Sequence, residues 1–284
     1  MVDSRPLTSD RPRPKRPPVS ATATSAAPSP VTIGVRSGLL IALALLAVVA
    51  ASGFDVATLV VPGSRGVGGE AMIADFGADA VPDRFAYDGQ PLYVVAREFP
   101  DVAAMYDQGV ADFRINRGLQ AAHSAWAPHG APLMVVLAAW GAVGVALAAG
   151  ALADLARRHG RDPRVGYGAA LALVFPSVIT TSEPLAFGLG FLGLAFADRN
   201  RLGPAVLAFG LAGLARETAL AMAIAAALVL LWRRRPLAAL AVGAGSAVPF
   251  LAWSAHVRAS VPRSDQNTAE LFGFLDLPEA VGPG

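Results

Sequence analysis

The residues best suited to chemistry lie in one short polar stretch, where an aspartate stands beside a glycine and between two tyrosines. The stretch reads Tyr87-Asp88-Gly89-Gln90-Pro91-Leu92-Tyr93, and it belongs to a long polar segment between apolar ones. A carboxylate in such a place can act as a general base, because it can accept a proton from a hydroxyl group. The same Asp-Gly pair is also typical of an ordinary turn. Asp88 is therefore predicted as the candidate catalytic residue, with Tyr87 and Gln90 beside the substrate.

A second group of charged residues stands near the expected turns between the apolar segments. Ionisable residues at a membrane are costly, and by default they are candidates for function. Arginine suits a phosphate, because its guanidinium fork matches the phosphate oxygens. In the plain alternative, Arg114 and Arg117 contact lipid headgroups and Glu183 only begins a helix. Arg216 and Glu217 would then form a structural pair that closes a hairpin. The further predicted substrate-binding residues are Arg114, Arg117, Glu183, Arg216 and Glu217.

Within this group, Glu217 is expected to pair with Arg216 and to orient it. Glu183 fits either a second acid or a ligand of a cation. His123 and His129 have no carboxylate at a convincing interval, so the spacing predicts no metal site and leaves only a divalent cation open. No other cofactor is indicated.

Composition indicates which elements must position these residues. The chain is 54% hydrophobic and only 15% charged, with a mean hydropathy of +0.50. Soluble domains carry about 25% charged residues, so this composition predicts a membrane protein. The net charge of +2 is too small to indicate a nucleic-acid partner. The absence of cysteine excludes disulfides, thiolate metal sites and cysteine nucleophiles.

The apolar segments predict an all-α integral membrane protein with about seven transmembrane helices. Crossing the hydrocarbon core takes about 20 apolar residues, and several of the segments are shorter. Two neighbouring pairs could each be one kinked helix, divided only at Glu183 or at Arg216. Arginine clusters favour separate spans, because fusion would move a cluster to the non-cytoplasmic side. The predicted spans are 37–54, 131–155, 165–181, 183–197, 202–215, 218–232 and 237–256.

The chain divides into a tail, a membrane domain and an end segment. Residues 1–32 are rich in Pro, Ser, Thr and Arg, which predicts a disordered basic cytoplasmic tail. The membrane domain covers 33–256, and residues 257–284 form an extracytoplasmic C-terminal segment. The first apolar segment could be a signal peptide, but the further spans favour an uncleaved anchor.

The first extracytoplasmic loop, residues 62–130, is predicted to be partly helical. Apolar residues recur at helical spacing after Pro91, and residues 113–126 fit a second amphipathic helix lying along the membrane surface. Gly89 is expected to allow a tight turn with a positive φ. The glycine-rich segment 63–69 lacks the context of a phosphate loop and is interpreted as a flexible linker.

The polar stretch resembles a motif of a known family. Residues 87–97 look like a Tyr-Asp-Gly-Gln-x-Tyr-Tyr-x-x-Ala-Arg pattern in the first outer loop of bacterial multi-spanning proteins similar to the glycosyltransferase-C superfamily. Residues 112–117 and 214–218 resemble the family's Tyr-Arg-x-x-Arg and Lys/Arg-Glu-Thr stretches. The resemblance covers roughly residues 35–275. It departs from the pattern at Pro91-Leu92, where an aromatic residue is expected, and at 118–124, which is less apolar than usual.

The resemblance implies an inverting glycosyltransferase in the bacterial plasma (inner) membrane, with its N-terminus cytoplasmic and its C-terminus outside. Such an enzyme moves a sugar from a polyprenyl-phosphate donor to an acceptor hydroxyl. Asp88 would be the base, and Arg216, or else Arg117, would neutralise the leaving phosphate. Small residues in 141–150 and 188–193 would let helices approach closely around a groove for the prenyl chain.

The implied partners are the lipid-linked sugar, the bilayer and envelope-assembly proteins. Two other functions remain open. A transporter or lipid flippase also uses interrupted helices with polar residues, although it has no need of a long outer loop. A non-catalytic membrane partner of an envelope complex fits the early end of the chain.

Overall fold

The computed structural model describes residues 27–260, and within that range the chain is built from helices with one isolated bridge between Arg65 and Phe85. The all-α prediction is confirmed for this part of the chain. Most of the predicted tail and most of 257–284 lie outside the described residues. The α-helices are α1 Pro30–Ala51, α2 Gly69–Phe76, α3 Gly89–Glu98, α4 Val102–Asp107, α5 Asp112–Ile115, α6 Gly118–Ser124, α7 Ala131–Arg158, α8 Gly166–Ala172, α9 Val174–Val178, α10 Glu183–Asp198, α11 Leu202–Ala215, α12 Leu220–Trp232 and α13 Pro236–Ser260.

Long apolar helices are fewer than the predicted spans. Among residues 27–260, α1, α7 and α13 are long and apolar enough to cross a membrane. Helices α10, α11 and α12 match predicted spans, but they are shorter than α1, α7 and α13. The segment predicted as a span at 165–181 is divided into α8 and α9. Pro176 explains the break, because it lacks the amide that would bond to the Ala172 carbonyl. The count of seven spans stays a prediction.

The first long helix begins earlier than the predicted span 37–54. Helix α1 begins at Pro30, because the Ser29 hydroxyl caps it by accepting a hydrogen bond from the Thr32 amide at 3.1 Å. Helix α1 therefore includes the last residues of the segment 1–32 that was predicted as a tail. The helix ends at Ala51, and residues Val56–Val60 form a separate 3-10 turn.

Helix α7 is the centre of the bundle, and α1 and α10 pack against it. Further helices follow in a chain of contacts, from α10 to α11, from α11 to α13 and from α13 to α12. Glycine permits the closest approaches. A Cβ on Gly188 would lie 2.3 Å from the Gly144 carbonyl oxygen, and a Cβ on Gly34 would lie 2.7 Å from that of Ala146. The predicted close helix approach through small residues is confirmed at these positions.

The outer surface of the bundle is apolar. Large apolar patches are rare on soluble monomers, whereas lipid tails provide a matching environment for them. This surface and the long apolar helices indicate a membrane protein. Its large exposed side chains include Leu39, Leu43 and Leu46 on α1, Leu228 and Trp232 on α12, and Leu237 and Leu240 on α13.

The predicted first loop, residues 62–130, is partly helical, as expected. It contains α2 to α6, and α3 buries Tyr93 and Val94 completely. The helix predicted at 113–126 is divided into α5 and α6 at Asn116 and Arg117. These short helices stand at the end of the bundle where α7 begins.

The opposite end of the bundle is rich in arginine. The carboxylate of Asp154, near the end of α7, accepts a hydrogen bond from Arg199 at 2.7 Å. Arg158 and His159 lie 3.6 Å and 3.3 Å from Asp198, the last residue of α10. The molecule therefore has two distinct polar ends, and helices α7 and α10 both run from one toward the other.

Candidate functional site

A narrow cleft lies between the loop helices and the two turns that precede α10 and follow α11. Its inner volume is only about 10 Å³, and the volume reaches about 300 Å³ when the open space at its mouth is included, so a ligand would sit at the mouth. Five of the predicted site residues meet here, although they come from distant parts of the sequence. The lining residues are Asp88, Pro91, Leu92, Arg114, Arg117, Thr181, Ser182, Glu183 and Arg216.

Asp88 stands immediately before α3 and points its carboxylate into the cleft. Its backbone is already helical, with φ −57° and ψ −18°, and its side chain makes no capping hydrogen bond to the helix. The carboxylate instead accepts a hydrogen bond from the Arg114 guanidinium at 3.0 Å. The Asp88 side chain is 45% exposed, so a ligand in the cleft can reach it.

Gly89 positions Asp88 by close packing. Its φ is not in the left-handed region, so the predicted positive-φ turn is wrong. A Cβ at this position would lie 2.4 Å from the Ile179 carbonyl oxygen and 3.2 Å from that of Thr180. Only a residue without a side chain lets the start of α3 pack against this turn. That contact brings Asp88 to the turn that carries Thr181, Ser182 and Glu183.

The remaining charged residues form ion pairs across elements. Arg216 pairs with Glu183, and the Arg117 guanidinium lies 3.2 Å from Glu217. The expected pair between Arg216 and Glu217 is therefore wrong. Arg216 has an extended backbone, with φ −159° and ψ 126°, and side chains that follow one another in extended backbone point to opposite sides. Glu217 consequently faces the loop helices, and Arg216 faces α10.

Glu183 carries a buried oxygen atom that nothing in the described chain satisfies. It is the first residue of α10, and Pro184 follows it at a position that proline favours. One carboxylate oxygen accepts from Arg216, while Oε2 is buried with no hydrogen-bond partner among residues 27–260. A buried acceptor without a partner is destabilising, so this oxygen suits a substrate hydroxyl or a cation. No group of three or more His, Asp or Glu residues that could hold a metal occurs within 27–260.

Gln90 does not line the cleft. It is completely buried, and its side-chain amide is used by the backbone of the glycine-rich segment. Its oxygen accepts from the Gly63 amide at 2.9 Å, and its nitrogen donates to the carbonyls of Gly63 at 3.0 Å and Val67 at 2.7 Å. The segment predicted as a flexible linker is thus held in place. Gln90 therefore affects the site indirectly, by fixing the segment 63–67 beside it.

Tyr87 lies at the edge of the cleft region and is 46% exposed. Its ring meets that of Phe175 on α9 edge-on, with 6.4 Å between the ring centroids. It therefore stands between the polar loop and the apolar surface of the bundle, as a substrate-contacting residue at a membrane surface would.

A polar network that the sequence did not reveal supports the site from behind. The Tyr93 hydroxyl donates to Asp75 at 2.6 Å and accepts from the Gly130 amide at 2.8 Å, and Arg97 donates to Asp75 at 2.8 Å. Burial, together with the bond to Asp75, raises the pKa of Tyr93 above its usual value. The network joins α2, α3 and the start of α7. Nothing in the spacing of Asp75 distinguishes it from other loop acids.

Thr181 and Ser182 are the polar cleft residues that sequence reasoning missed, although their position next to Glu183 was a usable signal. The apolar Pro91 and Leu92 were not predicted either. The cleft combines a reachable carboxylate with arginines, an arrangement suited to proton abstraction beside a phosphate. A scan against models of known protein families, a search of curated proteins and a search of solved structures each found no match.

Proposed function

We propose that this chain is a membrane glycosyltransferase that transfers a sugar from a polyprenyl-phosphate donor to an acceptor hydroxyl. One observation carries the proposal: Asp88 opens into the same cleft as Arg114, Arg117 and Arg216, at one end of a bundle with an apolar surface. The cleft thus offers a base and phosphate-binding cations where a lipid-anchored substrate would present its headgroup. The motif resemblance to the glycosyltransferase-C superfamily supports the same reading.

In the proposed reaction, the Asp88 carboxylate accepts the proton of the acceptor hydroxyl. The acceptor oxygen attacks the anomeric carbon of the donor sugar from the face opposite the phosphate, so the configuration inverts. The bond from the anomeric carbon to the phosphate oxygen breaks, and its electron pair stays on the phosphate. Arg216 and Arg117 neutralise this growing charge, which is where such groups lower a barrier most. The product lipid is the polyprenyl phosphate.

Arg114 has a separate task in this scheme. It holds the Asp88 carboxylate at 3.0 Å in the absence of substrate. This bond occupies one carboxylate oxygen, and in the proposed scheme the other oxygen takes the proton of the acceptor hydroxyl while Arg114 stays in place. Arg114 thereby orients the base, and Arg216 and Arg117 bind the donor phosphate.

The proposal includes a topology of seven spans, counting α8 and α9 as one broken span. Arginine is enriched on the cytoplasmic side of membrane proteins. The arginine-rich end of the bundle would accordingly face the cytoplasm, with the N-terminus inside and the cleft and C-terminus outside the plasma (inner) membrane. A reporter fused after Arg235 is expected to be cytoplasmic. Finding it outside the cell would contradict this topology.

The decisive test compares native protein with Asp88→Asn in isolated membranes supplied with a panel of radiolabelled polyprenyl-phosphate sugars. A general base contributes roughly 10²–10⁴-fold to the rate, so transfer should fall by at least about 100-fold. Asp79→Asn is the matched control, because it makes the same change at an exposed acid that does not line the cleft. Unchanged transfer by a folded Asp88→Asn protein would refute the role of Asp88.

A transporter is the second candidate, because two helix interruptions meet at the same cleft. The chain breaks before α10 at Thr181 and after α11 at Arg216, and transporters place substrates at such breaks. Proteoliposomes separate the two functions. Movement of the intact lipid-linked sugar across the bilayer without release of polyprenyl phosphate would favour transport.

A further inference from the structure

A second pocket adjoins the cleft and shares two residues with it, Pro91 and Arg114. Its volume is about 160 Å³, or about 400 Å³ when the open space at its mouth is included, so it can hold part of a small ligand. Its remaining lining residues are Arg65, Gly66, Val67, Phe85, Ala86 and Tyr87. A ligand in this pocket would lie directly beside the ion pair of Asp88 and Arg114.

Two aromatic rings that line this pocket are accessible to a ligand. Phe85 is 78% exposed and Tyr87 is 46% exposed. The face of an aromatic ring is electron-rich and attracts partially positive C–H groups. A sugar ring presents a row of such C–H groups on one face and hydroxyls around its edge. The combination of exposed rings and nearby polar groups therefore fits a carbohydrate.

The backbone that lines this pocket is held by hydrogen bonds, so the pocket is already formed before a ligand binds. Gln90 binds the backbone at Gly63 and Val67 through three hydrogen bonds. The Arg65 amide donates to the Arg84 carbonyl at 3.1 Å, and the Tyr87 amide donates to the Val61 carbonyl at 3.3 Å. The last two bonds join residues 61–65 to residues 84–87, the segment that carries both Phe85 and Tyr87. Preorganisation of this kind reduces the entropy lost when a ligand binds.

The charges of the pocket favour a neutral ligand. Arg65 is paired with Asp83, with 2.6 Å between the charged atoms, and Arg114 is paired with Asp88. An anion would have to compete with both carboxylates, whereas the hydroxyls of a neutral sugar can accept from these guanidinium groups without displacing them. Arg216 lines the cleft but not this pocket, so the proposed donor phosphate lies outside the pocket.

We propose that this pocket binds the sugar ring of the acceptor, stacked on Tyr87 and Phe85 with its reactive hydroxyl directed past Arg114 to Asp88. The proposal rests on the glycosyltransferase function proposed above. It adds that the acceptor is itself a carbohydrate and that it enters through this pocket, which Arg216 does not line.

The experiment measures binding without turnover. The full chain in lipid nanodiscs is mixed with methyl glycosides of common hexoses and pentoses, and magnetisation transfer from protein to sugar is measured by NMR. Native protein is expected to bind at least one glycoside, and Tyr87→Ala and Phe85→Ala are each expected to weaken that binding at least about tenfold. Trp126→Ala is the matched control, an exposed ring of the same loop outside the pocket, and should bind as the native protein does. Native protein that binds none of the glycosides, or equal binding by both pocket variants, would overturn the proposal.

The transfer assay keeps the two proposals separate. If transfer depends on Asp88 but the pocket variants bind glycosides normally, the enzyme stands and the acceptor pocket falls. If no donor supports transfer but Tyr87→Ala loses glycoside binding, the pocket stands and the proposed function falls. If both hold, Tyr87→Ala should raise the KM for the acceptor and leave the KM for the donor unchanged.

Discussion

Replacing Gly89 with alanine tests how the cleft is assembled. The added Cβ would lie 2.4 Å from the Ile179 carbonyl oxygen and 3.1 Å from the Cα of Val60. Both neighbours are backbone atoms, so the start of α3 has to move away from the turn. Overpacking of this kind costs about 1–3 kcal/mol. Alanine in a helix returns about 0.4–1 kcal/mol of that by restricting the unfolded chain. The net loss therefore lies between about 0 and 2.6 kcal/mol, with a midpoint of about 1.3 kcal/mol.

Thermal melting of purified protein in detergent measures this loss. For a chain of this size, each kcal/mol shifts the Tm by roughly 2–4 °C, so the midpoint loss corresponds to a fall of about 3–5 °C. Gly168→Ala in α8 is the control, because a Cβ there meets nothing within 4 Å. The control should melt at or slightly above the native Tm. A Gly89→Ala protein as stable as the Gly168→Ala protein would refute the packing argument.

Two further substitutions test the support around the site. Tyr93→Phe leaves Asp75 and the Gly130 amide short of a hydrogen bond, a loss of about 1–3 kcal/mol. Because the folded state raises the pKa of Tyr93, native stability should decline as pH rises above the ordinary tyrosine value of about 10. The Tm difference between native and variant should therefore narrow between pH 8 and 11, and a constant difference would contradict this. Gln90→Leu leaves the Gly63 amide without its acceptor, so hydrogen exchange at that amide should accelerate at least about tenfold, and unchanged protection would speak against the clamp.

Sequence patterns predicted the elements better than their partners. Helix breaks at Glu183 and Arg216 follow from charged residues and a proline between apolar runs, and both are present in the structure. The meeting of Asp88 with these turns followed from placing the polar residues at one end of the bundle. The break inside 165–181 was not predicted, because the apolar run continues on both sides of Pro176.

The sequence did not predict which side chains pair with each other. Arg216 and Glu217 are neighbours in the chain, yet each pairs with a residue of another element. Gly89 looked like a turn residue because its neighbour Asp88 favours turns, while the actual reason is a carbonyl that comes from Ile179. Gln90 looked like a ligand-binding residue because it stands close to Asp88 in the sequence. Such roles depend on contacts between distant segments, which spacing does not record.

The ion pairs at the cleft have a consequence for selectivity. An anion that enters must take an arginine away from a carboxylate, as at Arg216 and Glu183. Its affinity is then the difference between two similar interactions, which is small for a free phosphate in water. A ligand tethered in the bilayer starts from a high effective concentration and can drive the same exchange. The resting charge balance would thus reject soluble anions and admit those that arrive on a lipid.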